Sequence, residues 1–198
     1  PVLDSSVIYV VTLQGVEGAH VNNKNRLTNF KQAWKTMCGS EPNVQVCPGG
    51  VSKRRGYGLS RAFVGCLDLA NKRGANYNLF FEDDARLVDK TLCKPSNWPN
   101  LPLDTFVVLL GGHAWKGLGN VVNGYQKATA SYGSYAFMVP KANVQDLSNF
   151  WFQDMNRDEK MLSPDVTFYK HANYRKKSVY RLSKLLAWHS KGWSNTWN

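Results

Sequence analysis

Residues 78–84 read NLFFEDD, an apolar segment that runs directly into three adjacent carboxylates. Short apolar runs of this kind are typical of strands that are buried on both faces. In open α/β sheets, ligands bind at the carboxyl ends of the strands. This stretch therefore predicts a buried strand that delivers Glu82, Asp83 and Asp84 to a binding site.

Strand and helix patterns alternate on both sides of this segment. The strand-like stretches are residues 7–13 (VIYVVTL), 44–47, 105–110 and 135–139. Apolar side chains recur at helical spacing over residues 25–37, 59–72, 142–152 and 179–186. The alternation predicts an α/β fold with an open, mixed and mostly parallel sheet flanked by helices. We expect one domain over residues 1–198; the chain begins with Pro1 rather than Met, so a longer protein is an alternative.

The composition is that of a folded protein with an excess of positive charge. The 198 residues include 25 Lys and Arg against 14 Asp and Glu, a formal net charge of +11, and 43% are hydrophobic. This hydrophobic content excludes general disorder, and the apolar runs are too short to span a bilayer. The charge indicates an anionic partner: nucleic acid, a phosphate-bearing small molecule or an acidic surface. The four cysteines form no Cys-x-x-Cys motif, and we expect them to be reduced, in a cytoplasmic protein.

Three neighbouring carboxylates repel one another and resist burial. Side chains alternate along an extended chain, so Glu82 and Asp84 are expected to point one way and Asp83 the other. A divalent cation would relieve the repulsion, and oxygen ligands suit Mg²⁺ or Mn²⁺. The alternative is a solvated acidic turn.

The acidic segment resembles a motif of a known enzyme family. Residues 80–85 (FFEDDA) are similar to the DxD-type motif of GT-A glycosyltransferases in its EDD form, and to the acidic motif of lipopolysaccharide-type (family 25) enzymes. Residues 58–61 (GLSR) resemble that family's Gly-Cys-x-x-Ser-His segment, with Arg61 where histidine is usual. Residues 132–137 (YGSYAF) resemble its later Gly-x-Tyr-Ala-Tyr strand. The short chain is also similar to glycosyltransferase domains encoded by chlorella viruses, which would place it in the host cytoplasm.

The resemblance implies a Rossmann-like GT-A fold and a metal-dependent transfer of a hexose from a UDP-sugar, by default UDP-glucose, to a glycan or glycoprotein. Mn²⁺ or Mg²⁺ would bridge the diphosphate. Asp84 would be a metal ligand, Glu82 would lie near the metal and the ribose, and Asp83 would approach the donor sugar. The nucleotide would lie beside the end of the first strand, at Thr12, Leu13 and Gln14.

The C-terminal residues 189–193 (HSKGW) resemble a second part of such a site. GT-A enzymes often carry a C-terminal histidine that completes the metal coordination, with a lysine and a tryptophan that close over the diphosphate. The resemblance implies these roles for His189, Lys191 and Trp193. The alternative is an irregular surface tail whose tryptophans pack on the core.

Three further residues are candidates for the chemistry. The family inverts the anomeric centre, which requires a carboxylate base, and Asp165 at a predicted helix start is the candidate. A carboxylate in a first helical turn also complements the helix dipole, so a capping role is the alternative. Arg61, at the head of a helix, is a candidate phosphate ligand. His113 would contact sugar hydroxyls or be an ordinary turn histidine.

Two other classes of function compete with a glycosyltransferase. A metal-dependent nuclease or phosphotransferase would use the same carboxylates, and a non-enzymatic carbohydrate-binding module would use the seven tryptophans. No nucleic-acid motif and no Walker loop occurs in the sequence. Neither alternative explains the acidic motif together with the histidine of the tail, so a glycosyltransferase without a nucleic-acid partner is preferred.

Overall fold

The computed structural model describes residues 6–13, 25–52, 56–112, 114–133, 135–157 and 164–189. The helices are α1 (Arg26–Cys38), α2 (Tyr57–Arg73), α3 (Lys141–Arg157) and α4 (Pro164–Tyr174), with short 3-10 helices at Lys90–Cys93 and Pro95–Asn97. The strands are β1 (Ser6–Thr12), β2 (Val44–Pro48), β3 (Tyr77–Glu82), β4 (Ala85–Leu87), β5 (Thr105–Leu109), β6 (Ala114–Lys116), β7 (Val121–Val122), β8 (Tyr125–Ala128), β9 (Ala130–Tyr132), β10 (Ala136–Pro140), β11 (Ser178–Leu182) and β12 (Ala187–His189).

Eight of these strands form one open sheet in the order β2-β1-β3-β10-β5-β11-β8-β7. β1 lies parallel to both β2 and β3, and β5 lies parallel to β11. β10 is inserted antiparallel between β3 and β5, and the β8–β7 hairpin continues the sheet in antiparallel fashion. The predicted fold class, an α/β protein with an open mixed sheet flanked by helices, is confirmed.

The apolar segment before the carboxylates is the centre of the protein. Phe80 and Phe81 are fully buried on opposite faces of the sheet. Phe80 belongs to the core under α2, α3 and α4, and stacks on Tyr9 and Phe137 at ring-centroid distances of 5.0 and 5.1 Å. Phe81 belongs to the core under α1. Burial on both faces explains why this strand is a continuous apolar run and shows no alternating pattern.

The structure differs from the sequence-based prediction in the C-terminal region. Residues 179–186, expected to be helix-like, contain strand β11, which pairs with β5 on one side and β8 on the other. Val179 and Leu182 are buried. The apolar spacing in this stretch fits a helix or a buried strand equally well. It forms a strand because it pairs with the edge of β5. The tail is not irregular throughout either, because β12 pairs antiparallel with β4.

The expectation of four reduced cysteines is wrong. Disulfides join Cys38 to Cys93 and Cys47 to Cys66, with Cα–Cα distances of 5.5 and 5.7 Å. The first ties the end of α1 to a 3-10 helix, and the second ties β2 to α2. The paired cysteines are 55 and 19 residues apart in the sequence. Only the folded chain brings them together, so the sequence alone does not reveal the pairs. Disulfides persist mainly in oxidising compartments, which weighs against the cytoplasmic location that remains a prediction.

Within the part of the chain that the structure describes, no helix is both long enough and apolar enough to cross a bilayer.

Candidate functional site

The acidic residues lie at the end of β3, at the carboxyl edge of the sheet, as predicted. Their side chains, however, do not point in alternating directions. Strand β3 ends at Glu82, and Asp83 and Asp84 form the turn between β3 and β4. Both aspartates face the guanidinium of Arg26, the first residue of α1. The prediction that Asp83 points away from Asp84 is wrong, because side chains alternate only while the backbone is extended.

Arg26 holds the two aspartates together. Its Nη1 donates to Asp84 Oδ2 at 3.0 Å and lies 3.8 Å from Asp83 Oδ1. The side chains of Asp83 and Asp84 are 7% and 5% exposed, and that of Arg26 is 17% exposed. This ion pair is therefore largely shielded from water, where charge interactions are stronger than on a surface.

The end of β1 joins the same site. Thr12 Oγ1 donates to Asp83 Oδ2 at 2.5 Å, and the Asp83 amide donates to the Val11 carbonyl at 3.0 Å. Thr12 and Leu13, predicted to lie beside a nucleotide, line one pocket with Arg26 and the three carboxylates. Gln14 lies outside the described residues.

Glycine backbone forms part of the lining of this pocket. Gly49, Gly50, Gly56 and Gly58 all line it. A Cβ added to Gly58 would lie 1.7 Å from the Gly50 carbonyl oxygen, so the loop after β2 packs directly on the start of α2. The Gly49 amide donates to the Thr12 carbonyl at 2.7 Å, which joins this loop to β1. The close approach requires glycine at position 58 and leaves glycine backbone in the lining of the pocket.

The electrostatics of the carboxylates reflect burial and mutual repulsion. Burial raises the pKa of Asp83 to about 6, although the Thr12 hydroxyl, the Arg26 charge and the Leu13 amide act against it and Asp84 adds to it. Burial raises the pKa of Glu82 well above its usual value, and the charges of Asp84, Asp83 and Asp165 raise it further. Shifts with these causes, at the end of a strand and inside a pocket, mark candidate functional sites.

The charge of Asp165, the predicted base, contributes to the raised pKa of Glu82. Asp165 is in the first turn of α4 and is 6% exposed. Its Oδ2 accepts from the Gly133 amide at 3.2 Å and its Oδ1 from the Val166 amide at 3.3 Å. It therefore binds one backbone amide in the first turn of α4 and one in the segment before β10. The expected capping role and a chemical role are compatible in this position.

The C-terminal tail returns to the acidic turn. In the β12–β4 pair, His189 lies opposite Ala85, the residue that follows Asp84. The amides of Leu186 and Ala187 donate to the Leu110 carbonyl at 2.9 and 3.1 Å, which fixes the tail to the end of β5. The backbone of the predicted metal ligand is thus beside the acidic turn, although its side chain is outside what the structure describes.

The remaining predicted site residues are not in the carboxylate pocket as described. Arg61 is exposed on α2 and lines a neighbouring groove with Gly49, Gly50 and Gly58. His113, Lys191 and Trp193 lie outside the described residues.

The side chains of the described residues show whether this site could hold a metal ion. No group of three or more His, Cys, Asp or Glu side chains among them is arranged to hold a metal ion. Mg²⁺ is usually held in proteins by one or two carboxylates together with substrate phosphates, and a complete protein cage is not required. Asp84 is buried and already pairs with a cation, so its surroundings suit positive charge. The donor set fits a metal that arrives with a phosphorylated ligand.

The comparisons with known proteins concern the fold. No protein-family model matches the sequence, and no curated protein matches it. The chain is similar to the structure of mannose-1-phosphate geranyltransferase from Thermus thermophilus, at 10% identity and a TM-score of 0.51, over 98% of this chain and 77% of that one. It is also similar to CTP:phosphocholine cytidylyltransferase from Streptococcus pneumoniae, at 10% identity and a TM-score of 0.50, over 96% and 95% of the two chains.

A glycosyltransferase involved in the glycosylation of the major capsid of PBCV-1 matches at 10% identity over 96% of this chain and 95% of that one. Its TM-score of 0.47 is too low to support an argument. The two structures at 0.50 and above share the fold of this chain, and at such low identity they say nothing about its substrate.

Sequence reasoning missed Arg26. A signal was present, because an arginine at the first position of a helix opposes the helix dipole, and no acidic residue in the first turn of α1 compensates for it. A cation at an unfavourable helical position indicates a partner elsewhere in the fold.

Proposed function

We propose that the protein is a metal-dependent glycosyltransferase that moves a hexose from a UDP-sugar to a hydroxyl group of a glycan or glycoprotein, with inversion. The observation that carries this proposal is the pocket in which Glu82, Asp83 and Asp84 meet Thr12 and a wall of glycine backbone at the carboxyl edge of the sheet. Asp165 would be the base: it accepts from the amide of Gly133, two residues before Tyr135, whose carbonyl accepts from the Glu82 amide at 2.9 Å.

The pocket suits a nucleoside diphosphate better than a nucleic acid. It lies between β1, β3 and the start of α2, and its glycine wall allows a ligand to approach the backbone closely. Its ionisable lining in the described residues is three carboxylates and Arg26. An anionic ligand can enter such a lining only with additional positive charge. A bound Mn²⁺ or Mg²⁺ would supply that charge and stabilise the leaving diphosphate.

Asp84, Asp83 and Glu82 would hold the metal and the donor, and His189 would add a ligand from β12. Thr12 and Leu13 would lie against the nucleotide. Lys191 and Trp193 are proposed to close over the diphosphate, Gln14 to extend the nucleotide site, and Arg61 and His113 to contact phosphate and sugar. UDP-glucose is the first donor to test.

The chemical step needs one proton acceptor. An Asp165 oxygen takes the proton of the acceptor hydroxyl, the hydroxyl oxygen forms a bond to the anomeric carbon, and the bond from that carbon to the diphosphate oxygen breaks. The electron pair leaves with the nucleoside diphosphate. The amides of Gly133 and Val166 orient the Asp165 carboxylate for this task.

The test is calorimetric binding of UDP, GDP and CMP, each with and without Mn²⁺. We expect UDP to bind in the presence of Mn²⁺ and this binding to be lost in Asp84→Ala. An Asp104→Asn variant is the control, because Asp104 bonds to Ser178 and Tyr180 away from the pocket.

Two results would replace the proposal. Oligonucleotide binding with a steep dependence on salt would indicate a nuclease or phosphotransferase. Glycan binding that needs neither metal nor UDP would indicate a carbohydrate-binding module. Absence of nucleotide binding under every condition would contradict the proposal outright.

A further inference from the structure

Arg26 is the one cation among the described residues that line the carboxylate pocket. Its guanidinium donates to Asp84 Oδ2 at 3.0 Å and approaches Asp83 Oδ1 at 3.8 Å. The carboxylate proposed to bind a divalent metal is therefore already engaged by a cation that belongs to the chain.

The backbone of Arg26 is held by the same strand that carries the carboxylates. On α1, the rings of Phe30 and Trp34 lie 5.3 and 6.2 Å from the ring of Phe81, which precedes Glu82. Both residues are almost fully buried. Because α1 is packed against β3 at this point, the guanidinium can change partners by rotation of its side chain while the helix stays in place.

A guanidinium and a divalent cation on the Asp84 carboxylate would repel each other, because both are positive and the site is shielded from water. A metal ion on this carboxylate would therefore weaken the pairing of Arg26 with Asp84 and favour release of the guanidinium. The nearest new negative charge would be the diphosphate that the metal brings into the pocket, and the planar fork of an arginine side chain matches phosphate geometry.

We infer that Arg26 is an exchangeable counter-ion of the acidic site: it competes with the divalent metal for Asp84, and it binds the donor diphosphate once the metal holds that carboxylate. Arg26 is thus a positioning residue that links metal binding to donor binding. The inference rests on the proposed function, since it requires a metal and a nucleoside diphosphate.

The first measurement is the affinity for Mn²⁺ alone, by electron paramagnetic resonance, in the wild type and in Arg26→Gln. Removal of the competing cation should tighten Mn²⁺ binding severalfold. Lys35→Gln is the matched control, because it removes one positive charge from the same helix at an exposed pair with Glu41. Equal Mn²⁺ affinity in the wild type and Arg26→Gln, or an equal gain in Lys35→Gln, overturns the competition.

The second measurement is the affinity for UDP at saturating Mn²⁺, by calorimetry. Arg26→Gln should bind UDP roughly tenfold more weakly, as expected from the loss of one charged hydrogen bond. Arg26→Lys keeps the charge but loses the fork, and should fall between the two. Unchanged UDP affinity in Arg26→Gln overturns the phosphate contact.

The two proposals fail in different ways. A wild-type protein that binds neither Mn²⁺ nor UDP overturns the proposed function and with it the role of Arg26. A wild type that binds both, together with an Arg26→Gln variant of wild-type affinities, overturns the role of Arg26 alone. Circular dichroism of each variant verifies that it is folded, and Arg26→Lys provides the same comparison if the glutamine variant is not.

Discussion

Two clusters of charged side chains occupy different parts of the molecule, and they are built in opposite ways. At the carboxyl edge, Asp83 and Asp84 share the guanidinium of Arg26, and Glu82 lines the same pocket. Between α3 and α4, Asp146 meets a histidine and an arginine: its Oδ2 lies 3.0 Å from His171 Nε2, and it also pairs with Arg175. The first cluster has an excess of negative charge, whereas the second has complementary charges.

The pKa directions express this difference. Burial raises the pKa of Asp83 to about 6. Burial also acts to raise the pKa of Asp146, but the Arg175 hydrogen bond and the His171 charge outweigh it, and the pKa lies below its usual value. Paired opposite charges, as in the Asp146 cluster, stabilise a fold. An unbalanced cluster costs stability, and proteins retain such clusters where function requires them.

His171 shows how the surroundings of a polar residue decide its role. Its sequence neighbours, the basic run at 175–177 in particular, predict a solvated side chain, and that prediction is wrong. His171 is 1% exposed and stacks on Phe150 with ring centroids 3.9 Å apart. Burial lowers its pKa, and Asp146 acts against this shift.

The largest expected effect is on the base. Asp165→Asn should lower the transfer rate by roughly 10²–10⁴-fold, because the amide cannot accept the proton of the acceptor hydroxyl. The single amide oxygen can accept only one of the Gly133 and Val166 hydrogen bonds, so we expect a modest loss of stability while UDP binding is unchanged. Initial rates and UDP calorimetry check both parts. Near-normal turnover in this variant would leave Asp165 with a capping role only.

The second effect compares one aspartate from each cluster. Asp84→Asn should lower the transfer rate by roughly 10²–10³-fold through lost stabilisation of the leaving diphosphate, with little change in the melting temperature. Asp146→Asn should leave the rate unchanged. Rates and thermal unfolding of both variants provide the comparison, and equal rate losses would show that the acidic cluster has no special role.

The third effect is on stability at the balanced cluster. Asp146→Asn should destabilise the fold by about 1–3 kcal/mol, because the buried His171 loses a charged hydrogen-bond partner. Glu41→Gln is the matched control, since its pair with Lys35 is exposed and exposed pairs contribute little to stability. Urea unfolding measures both variants. A loss no greater than that of the control would show that the His171 cluster is not structural.

The smallest effect is a pH dependence at the acidic cluster. Asp83 titrates near 3.8 when unfolded and at about 6 when folded, so between these values the folded protein binds more protons and its stability falls as the pH rises. Asp83→Asn removes this penalty. The free energy of unfolding of the variant relative to the wild type should therefore increase from pH 4 to pH 7, by no more than about 3 kcal/mol. A difference that is constant with pH would contradict the raised pKa.

The sequence by itself determined the central strand, most of the helices flanking the sheet, and the place of the acidic residues at a strand end. These features follow from local rules: burial on both faces gives a continuous apolar run, and helical spacing repeats every three to four residues. Thr12 and Leu13 came from the resemblance to GT-A enzymes, and they reach the same edge as the acidic residues because β1 and β3 lie parallel.

Tertiary structure alone decided the contacts that turn this edge into a site. Asp83 and Asp84 point the same way because the strand stops at Glu82, and Arg26 reaches them across 58 residues of chain. The disulfide pairs and the strand character of residues 178–182 were likewise invisible, and the sequence prediction of both was wrong. Each depends on which surfaces lie side by side after folding, and periodicity in a sequence carries no information about partners that distant.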